Sequence, residues 1–228
     1  TGELMTSATI TDRLVALSRA LIGRIRGGLA QVNVLVSMFF AGMNGSVVAD
    51  TATVGALVLP AMKKAGYPAA FSAAVTGVSS TIGGIIPPSI MMIVLANATE
   101  ISIAALFAAG IVPGILIGVV IMVINHYFAV KYNFERSDQP FSVRRAGKEL
   151  YRSSFALLIP LVLVGSVMGG VASVVEAGAI TALVALFTGV FVYRTIKWKD
   201  CTGAFRRAFR NSAMVFIIIA ASGPFSWL

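Results

Sequence analysis

Two short polar segments interrupt the apolar sequence, at residues 42–50 (GMNGSVVAD) and 82–89 (IGGIIPPS). In and just after the first, five side chains with oxygen ligands fall within ten residues: Asn44, Ser46, Asp50, Thr51 and Thr53. Gly45 lies among them and allows the chain to turn tightly. Hard cations bind several neutral or anionic oxygens, so this segment predicts a site for a cation such as sodium.

The second segment supplies a different kind of oxygen, the backbone carbonyl. Proline has no N–H donor and disfavours helix in the residue before it, so Pro87 and Pro88 should unwind a helical turn just after Gly83 and Gly84. The carbonyls released there could complete a cation shell with the nearby hydroxyls of Ser79, Ser80, Thr81 and Ser89. We predict that the two segments face each other and hold a sodium ion at Ser46, Gly83 and Pro87.

The residues after Ser46 begin a new apolar helix, whose first N–H groups and positive dipole end suit a carboxylate. One site could therefore hold a cation and an organic anion together. The simpler alternative is that Asn44 and Ser46 only cap the helix, while Asp50 accepts hydrogen bonds from backbone donors. The two interpretations are compatible, because a capping hydroxyl can also be a ligand.

The composition is that of a chain embedded in lipid. Hydrophobic residues make up 57% and charged residues 12%, whereas about a quarter of a soluble domain is charged, and the mean hydropathy is +0.90. The net charge of +9 comes from short Lys and Arg clusters between apolar segments. That pattern indicates membrane topology and contact with anionic lipid, not nucleic-acid binding. We predict an all-α polytopic membrane protein.

The sequence does not suggest catalysis. Cys201 and His126 are each the only residue of their type, so an intrachain disulfide and a cysteine or histidine metal cluster are excluded. His126 lies beside Tyr127 near the end of an apolar helix, where an interfacial histidine is expected. Because the sequence has no nucleophile–base set and no phosphate-binding glycine loop, we predict no enzymatic activity and no cofactor beyond a coupling ion.

Basic clusters predict the topology, because short cytoplasmic loops carry Lys and Arg. The apolar chain between Arg26 and Lys63 is split at residues 44–46 into two arms of about 16 residues. Each arm is about 24 Å long, which is short of a hydrocarbon core of about 30 Å. Since basic residues flank both sides, we predict a re-entrant helical hairpin over residues 27–66. Two very short full spans are the alternative.

The same rule divides the rest of the chain. Residues 1–26 are predicted as a cytoplasmic amphipathic lead-in, 67–130 as a broken helix and a returning helix of the transport domain, 131–152 as a basic cytoplasmic connector with its own surface helix, and 153–228 as further transmembrane helices. The returning helix carries Gly110, Gly114 and Gly118, a small-residue face suited to close packing. Glu176 adjoins the predicted external turn, where a solvated or helix-capping carboxylate is expected.

Three stretches resemble the large membrane subunit of TRAP transporters, the tripartite ATP-independent periplasmic systems. They are GGLAQVNVLVSMFFAGMNGSVVADTATVGALVLPAMKKAGY from residue 27, SSTIGGIIPPSI from residue 79 and ALFAAGIVPG from residue 105. The resemblance extends over essentially the whole chain. It implies an elevator-type secondary transporter that moves organic acids, such as dicarboxylates, sialic acids or keto acids, by sodium symport.

The resemblance also implies partners and site residues. The partners are a small membrane (Q) subunit and a periplasmic substrate-binding protein, and the implied location is the bacterial inner membrane. The family's glycine-serine tip falls on Gly45 and Ser46, its following aspartate on Asp50, and its double-proline-serine motif on Pro87, Pro88 and Ser89. Two positions depart from the family pattern: Asn44 stands where serine is usual, and Gly84 where proline is common.

Two other functions remain open from the sequence. A symporter of the dicarboxylate or citrate type would work without a binding protein, and a channel-like or structural membrane subunit would use the broken helices to line a pore. The chain begins at Thr1 without an initiator methionine and ends in an apolar run. We expect it to be an internal piece of a longer protein, with a second, inverted half and its own hairpin beyond Leu228.

Overall fold

The computed structural model describes residues 10–134, 141–193 and 198–222, and throughout these ranges the regular structure is helical. The helices are α1 (Ile10–Ile22), α2 (Gly28–Asn44), α3 (Val47–Lys64), α4 (Ala69–Ser80), α5 (Ile90–Thr99), α6 (Ile103–Lys131), α7 (Val143–Met168), α8 (Val174–Phe187) and α9 (Trp198–Ser222). A 3₁₀ turn, Thr81–Gly84, follows α4, and a π-helical turn, Thr188–Val192, follows α8. The predicted all-α class is confirmed.

Three helices are long and apolar enough to cross a membrane: Ile103–Lys131, Val143–Met168 and Val174–Val192. The first has 29 residues, about 43 Å at 1.5 Å per residue, which exceeds a hydrocarbon core of about 30 Å. Helices α2 and α3, with 17 and 18 residues, do not meet the same criterion of length and apolarity. They form the two arms of the predicted hairpin and contact each other.

Helix α2 is the centre of the packing. It contacts α1, α3, α4, α6 and the 3₁₀ turn, and its buried residues lie on every side of the helix, including Val32, Val34, Val36 and Phe40. A helix that is apolar all round belongs inside a protein or a membrane. The polar residues that α2 does carry are therefore placed where they must find partners inside the protein.

The glycines of α6 allow its close approach to the break between α4 and α5. A Cβ on Gly110 would overlap a side-chain atom of Met92, and one on Gly114 would overlap the side chain of Ile86. A Cβ on Gly118 would overlap the side chain of Met38 on α2. The packing role predicted for this glycine face is confirmed, and it fixes the position of the break.

The basic connector differs from our expectation. We predicted a basic connector over residues 131–152 with its own surface helix, followed by transmembrane helices from residue 153, but α7 runs without interruption from Val143 to Met168. No glycine or proline lies at the predicted boundary; Gly147 and Pro160 are each more than a full turn away from it. The basic and apolar halves therefore join as one helix, whose polar start continues directly into a candidate span.

Candidate functional site

The tip of the hairpin touches the break, as predicted. Gly45 ends α2 in the left-handed conformation (φ 61°), and its carbonyl accepts a hydrogen bond of 3.1 Å from the N–H of Ile90, the first residue of α5. A Cβ on Gly45 would overlap the carbonyl oxygen of Pro88. Only glycine satisfies both the positive φ and this close contact. We call the region where residues 45–50 meet residues 80–89 the junction.

A second set of contacts joins the start of α3 to the 3₁₀ turn. A Cβ placed on Gly83 would lie 3.7 Å from the carbonyl oxygen of Ser46 and 3.7 Å from the amide nitrogen of Val47. A Cβ placed on the next residue, Gly84, would lie 3.3 Å from the Val47 side chain. The structure thus brings together Ser46 and Gly83, two of the three residues that the sequence proposed as sodium ligands.

Two serines cap helices at the junction. The Ser46 hydroxyl accepts a hydrogen bond from the Ala49 N–H at 3.4 Å, which makes Ser46 the N-cap of α3. Ser89, which is fully buried, caps α5 through the Met92 N–H at 3.4 Å and donates to the Gly84 carbonyl at 2.8 Å. The capping alternative is correct for Ser46, but a hydroxyl oxygen has two lone pairs, so capping leaves it able to bind a cation.

The break contains several free carbonyl oxygens. Within the described residues, the carbonyls of Ile85, Ile86, Pro87 and Pro88 accept no hydrogen bond. The amide that would normally bond to residue 86 belongs to Ile90, and it bonds to Gly45 instead. Unpaired backbone oxygens at membrane depth are tolerated only where protein or a water-filled cavity supplies partners. The predicted release of carbonyls is thus present.

Asp50 is the charged residue of the junction, and it is 1% exposed. Both carboxylate oxygens are buried, and neither has a hydrogen-bond partner among the described residues. Ser37 of α2 and Ser80 of α4 face the carboxylate, but the Ser80 hydroxyl donates to the Thr76 carbonyl at 2.8 Å. The alternative in which Asp50 accepts from backbone donors is therefore wrong.

A buried polar network that the sequence analysis missed extends from the junction between α2 and α4. The Asn33 amide donates to Thr76 Oγ1 at 2.7 Å and its carbonyl oxygen accepts from Ser79 Oγ at 3.3 Å. Ser37 Oγ lies 3.4 Å from Ser79 Oγ. The sequence signal for this network was the spacing of four between Asn33 and Ser37 inside a largely apolar helix, which places both residues on one face.

Several hydroxyls predicted near the site lie elsewhere. Thr51 and Thr81 are exposed and donate to carbonyls of their own helices, of Val47 at 2.9 Å and Val78 at 2.7 Å. Asn44 and Thr53 are half-buried, and their side chains have no hydrogen-bond partner among the described residues. Glu176 accepts from the Ser173 N–H at 2.8 Å in a capping box. The helix-capping interpretation of Glu176 is confirmed.

Comparison with known proteins identifies the family. The family model described as "Tripartite ATP-independent periplasmic transporter, DctM component" matches residues 1–228. The chain belongs to the DctM family of TRAP transporters. The predicted resemblance is confirmed, and with it the prediction that the chain is no enzyme, since the related proteins are transporter permeases.

Three relatives show the range of the DctM family. The chain is 32% identical to the sialic acid TRAP transporter large permease protein SiaM of Vibrio cholerae, over 100% of this chain and 53% of SiaM. It is 35% identical to the C4-dicarboxylate TRAP transporter large permease protein DctM of Pseudomonas aeruginosa, over 96% of this chain and 51% of DctM. It is 31% identical to the isethionate TRAP transporter permease protein DctMQ of Oleidesulfovibrio alaskensis, over 98% of this chain and 35% of DctMQ. The chain thus spans about half the length of SiaM and DctM.

Proposed function

We propose that this chain is part of a permease that imports an organic acid anion by sodium symport, and that the junction holds the coupling sodium ion. The observation that carries the proposal is the Asp50 carboxylate, which is buried, makes no close hydrogen bond with the described residues and is faced only by the Ser37 and Ser80 hydroxyls. Leaving an ionised carboxylate uncompensated inside a protein costs several kcal/mol. A bound cation supplies the missing partner, and ionisable residues in membrane segments are otherwise rare.

The chemistry of the other groups fits sodium. The junction offers a carboxylate, serine hydroxyls and free carbonyls, and it contains no thiolate or imidazole among its described residues. Hard cations take oxygen ligands of these kinds. From the sequence we predicted sodium at Ser46, Gly83 and Pro87, with Asp50 among the ion- or substrate-binding residues; we now propose Asp50 as the charged member of the sodium site.

The start of α3 supplies a place for the anion. Val47 and Val48 are the first residues of this helix, and their N–H groups make no hydrogen bond within the described residues. Free N–H groups at a helix start attract carboxylates, and the three relatives are named for sialic acid, C4-dicarboxylate and isethionate. We therefore propose an organic acid as the substrate, bound next to the sodium ion.

The family supports a three-part system. A tripartite periplasmic transporter needs further components. The chain covers 35% of the relative named DctMQ but about half of SiaM and DctM, which fits a DctMQ chain that combines an M and a Q part. We propose a small membrane Q subunit and a periplasmic substrate-binding protein as partners in the bacterial inner membrane. The binding-protein-independent symporter and the channel are the competing functions.

The test is uptake of radiolabelled organic acid into proteoliposomes that contain the complete transporter. We expect saturable uptake that needs both an inward sodium gradient and the binding protein. Full uptake without the binding protein would favour the independent symporter, and a current proportional to voltage that does not saturate with substrate would favour the channel. The Asp50→Asn transporter, with Asp12→Asn as the exposed control, assigns the sodium requirement to the junction.

A further inference from the structure

An open cavity of about 500 Å³ lies at the basic end of α6, and none of its lining residues belongs to the junction. Its lining comes from two elements: Arg24, Ile25 and Arg26 in the connection between α1 and α2, and His126 and Val130 in the last turns of α6. The lining thus combines two arginines, a histidine and two apolar residues, and among the described residues it includes no acidic side chain.

The two elements are held together, so the cavity is a built feature of the fold. Gly27 has φ 72°, and a Cβ on it would overlap the Ala129 side chain. Arg26 Nη1 donates to Asn133 Oδ1 at 2.8 Å, just beyond the end of α6. These contacts fix the backbone that carries both arginines against the same helix end that carries His126.

The positive charge of the cavity is not neutralised by the described part of the protein. Arg24 is exposed, and neither Arg24 nor Arg26 forms an ion pair with an acidic residue in the described ranges. Arginine presents several N–H donors in a planar fork that matches phosphate oxygens. The cavity therefore has the chemistry of a site for a phosphate-bearing anion.

An exposed apolar stripe on α6 leads away from this cavity. It consists of residues three or four positions apart that share one face of the helix, Val112, Leu116, Val119 and Val123, each 48–72% exposed, followed by His126 and Val130 at the cavity. From His126 to Val112 the stripe is about 21 Å long, which is more than half of a hydrocarbon core of about 30 Å. The stripe is therefore long enough to hold one acyl chain of a single leaflet.

Aromatic residues place the cavity at the membrane surface. Tyr127 and Tyr132 are 61% and 58% exposed, and Lys131 Nζ lies about 6 Å from the centres of both rings. Tyrosine and lysine at the end of an apolar helix are typical of the level of lipid headgroups. A soluble phosphate would use the arginines but not the stripe, whereas a phospholipid uses both.

We propose that this cavity binds the phosphate headgroup of an anionic phospholipid, with an acyl chain lying along the α6 stripe. This site lies outside the transport chemistry and does not depend on sodium or on the organic acid. The bound lipid would hold the α1–α2 connection against α6. Basic pockets between helices near a membrane surface are suited to such headgroups.

The experiment is native mass spectrometry of the complete, purified transporter, titrated with phosphatidylglycerol, with phosphatidylcholine, or with inorganic phosphate. The variants are Arg24→Gln in the cavity and Arg19→Gln, an exposed arginine on α1 outside the cavity, as the matched control. His126→Gln is a second cavity variant. Melting temperatures without added lipid establish that each variant folds.

We expect phosphatidylglycerol to bind at least tenfold more tightly than phosphatidylcholine. Arg24→Gln should weaken it about fivefold, corresponding to about 1 kcal/mol per basic residue, while Arg19→Gln leaves it unchanged. Equal losses in Arg24→Gln and Arg19→Gln would overturn the site in favour of general charge attraction. Inorganic phosphate that binds as tightly as phosphatidylglycerol, or His126→Gln and Arg24→Gln transporters that bind the lipid normally, would overturn the lipid assignment.

Discussion

Replacing Asp50 with asparagine separates an ion ligand from a structural residue, because the two roles predict opposite signs. Asparagine has the same shape but no charge, so in sodium-free buffer the variant loses only a buried, unpartnered charge. Its stability should then equal or exceed that of the wild type, since an uncompensated buried charge is unfavourable. Saturating sodium should stabilise the wild type more than the variant.

The size of this difference in sodium stabilisation follows from the electrostatics of the junction. A unit charge about 4 Å from a cation, at an effective dielectric constant of about 20, interacts by about 4 kcal/mol. If half of this remains after desolvation, the sodium dissociation constant rises about thirtyfold. At a sodium concentration of about 100 times the wild-type dissociation constant, ligand stabilisation then falls from about 2.7 to about 0.9 kcal/mol.

The assay is thermal melting of the purified complete transporter in detergent, with potassium replacing sodium at constant ionic strength. Sodium should raise the wild-type melting temperature by several degrees and that of Asp50→Asn by much less. The exposed Asp12→Asn variant is the control and should respond as the wild type does. If Asp50→Asn lowers the melting temperature equally with and without sodium, Asp50 is a structural residue and the reasoning is refuted.

Three further predictions concern the junction and the topology. Gly45→Ala and Gly66→Ala both place a side chain at positive φ, but only the first overlaps another residue; we expect about 1 kcal/mol of lost stability at Gly66 and a larger loss, with loss of uptake, at Gly45. Ser46→Ala should raise the sodium concentration for half-maximal uptake. Ser102→Ala removes an N-cap of the same 3.4 Å length from α6 and should cost only about 0.5–2 kcal/mol of stability in a melting experiment. If the sodium dependence of uptake is the same in Ser46→Ala as in the wild type, Ser46 is only a cap. Single cysteines at Lys64, Arg145 and Lys199 should be labelled by a membrane-impermeant reagent only from the cytoplasm, and a cysteine at Glu100 only from the periplasm. Periplasmic labelling at position 145 would contradict the charge-based topology.

The hairpin and the break could be predicted because each depends on local chemistry. Gly45 and Ser46 stop one helix and cap the next, and the proline pair prevents helix before Ser89 whatever surrounds it. The continuity of α7 could not be predicted in this way. Charge patterning indicates where a chain meets water, but it does not say whether a helix ends there, and residues 148–159 contain no glycine or proline that would stop one.

The partners of the site residues were also beyond the sequence. Asp50 was identified by its type, but its proximity to Ser37 and Ser80 depends on how three helices pack. Thr51 and Thr81 show the converse: they are near the site in sequence, yet their hydroxyls bond to carbonyls one turn back in their own helices. Short-range rules name candidate ligands, and tertiary packing selects among them.

Coupled flux tests the central claim most directly. Radioactive sodium and radiolabelled organic acid would be followed together in proteoliposomes that contain the complete transporter and its binding protein. We predict that both enter in a fixed ratio that is independent of substrate concentration, and that Asp50→Asn abolishes this coupled entry while Asp12→Asn preserves it. Full substrate uptake driven by a pH gradient in the absence of sodium would contradict the account.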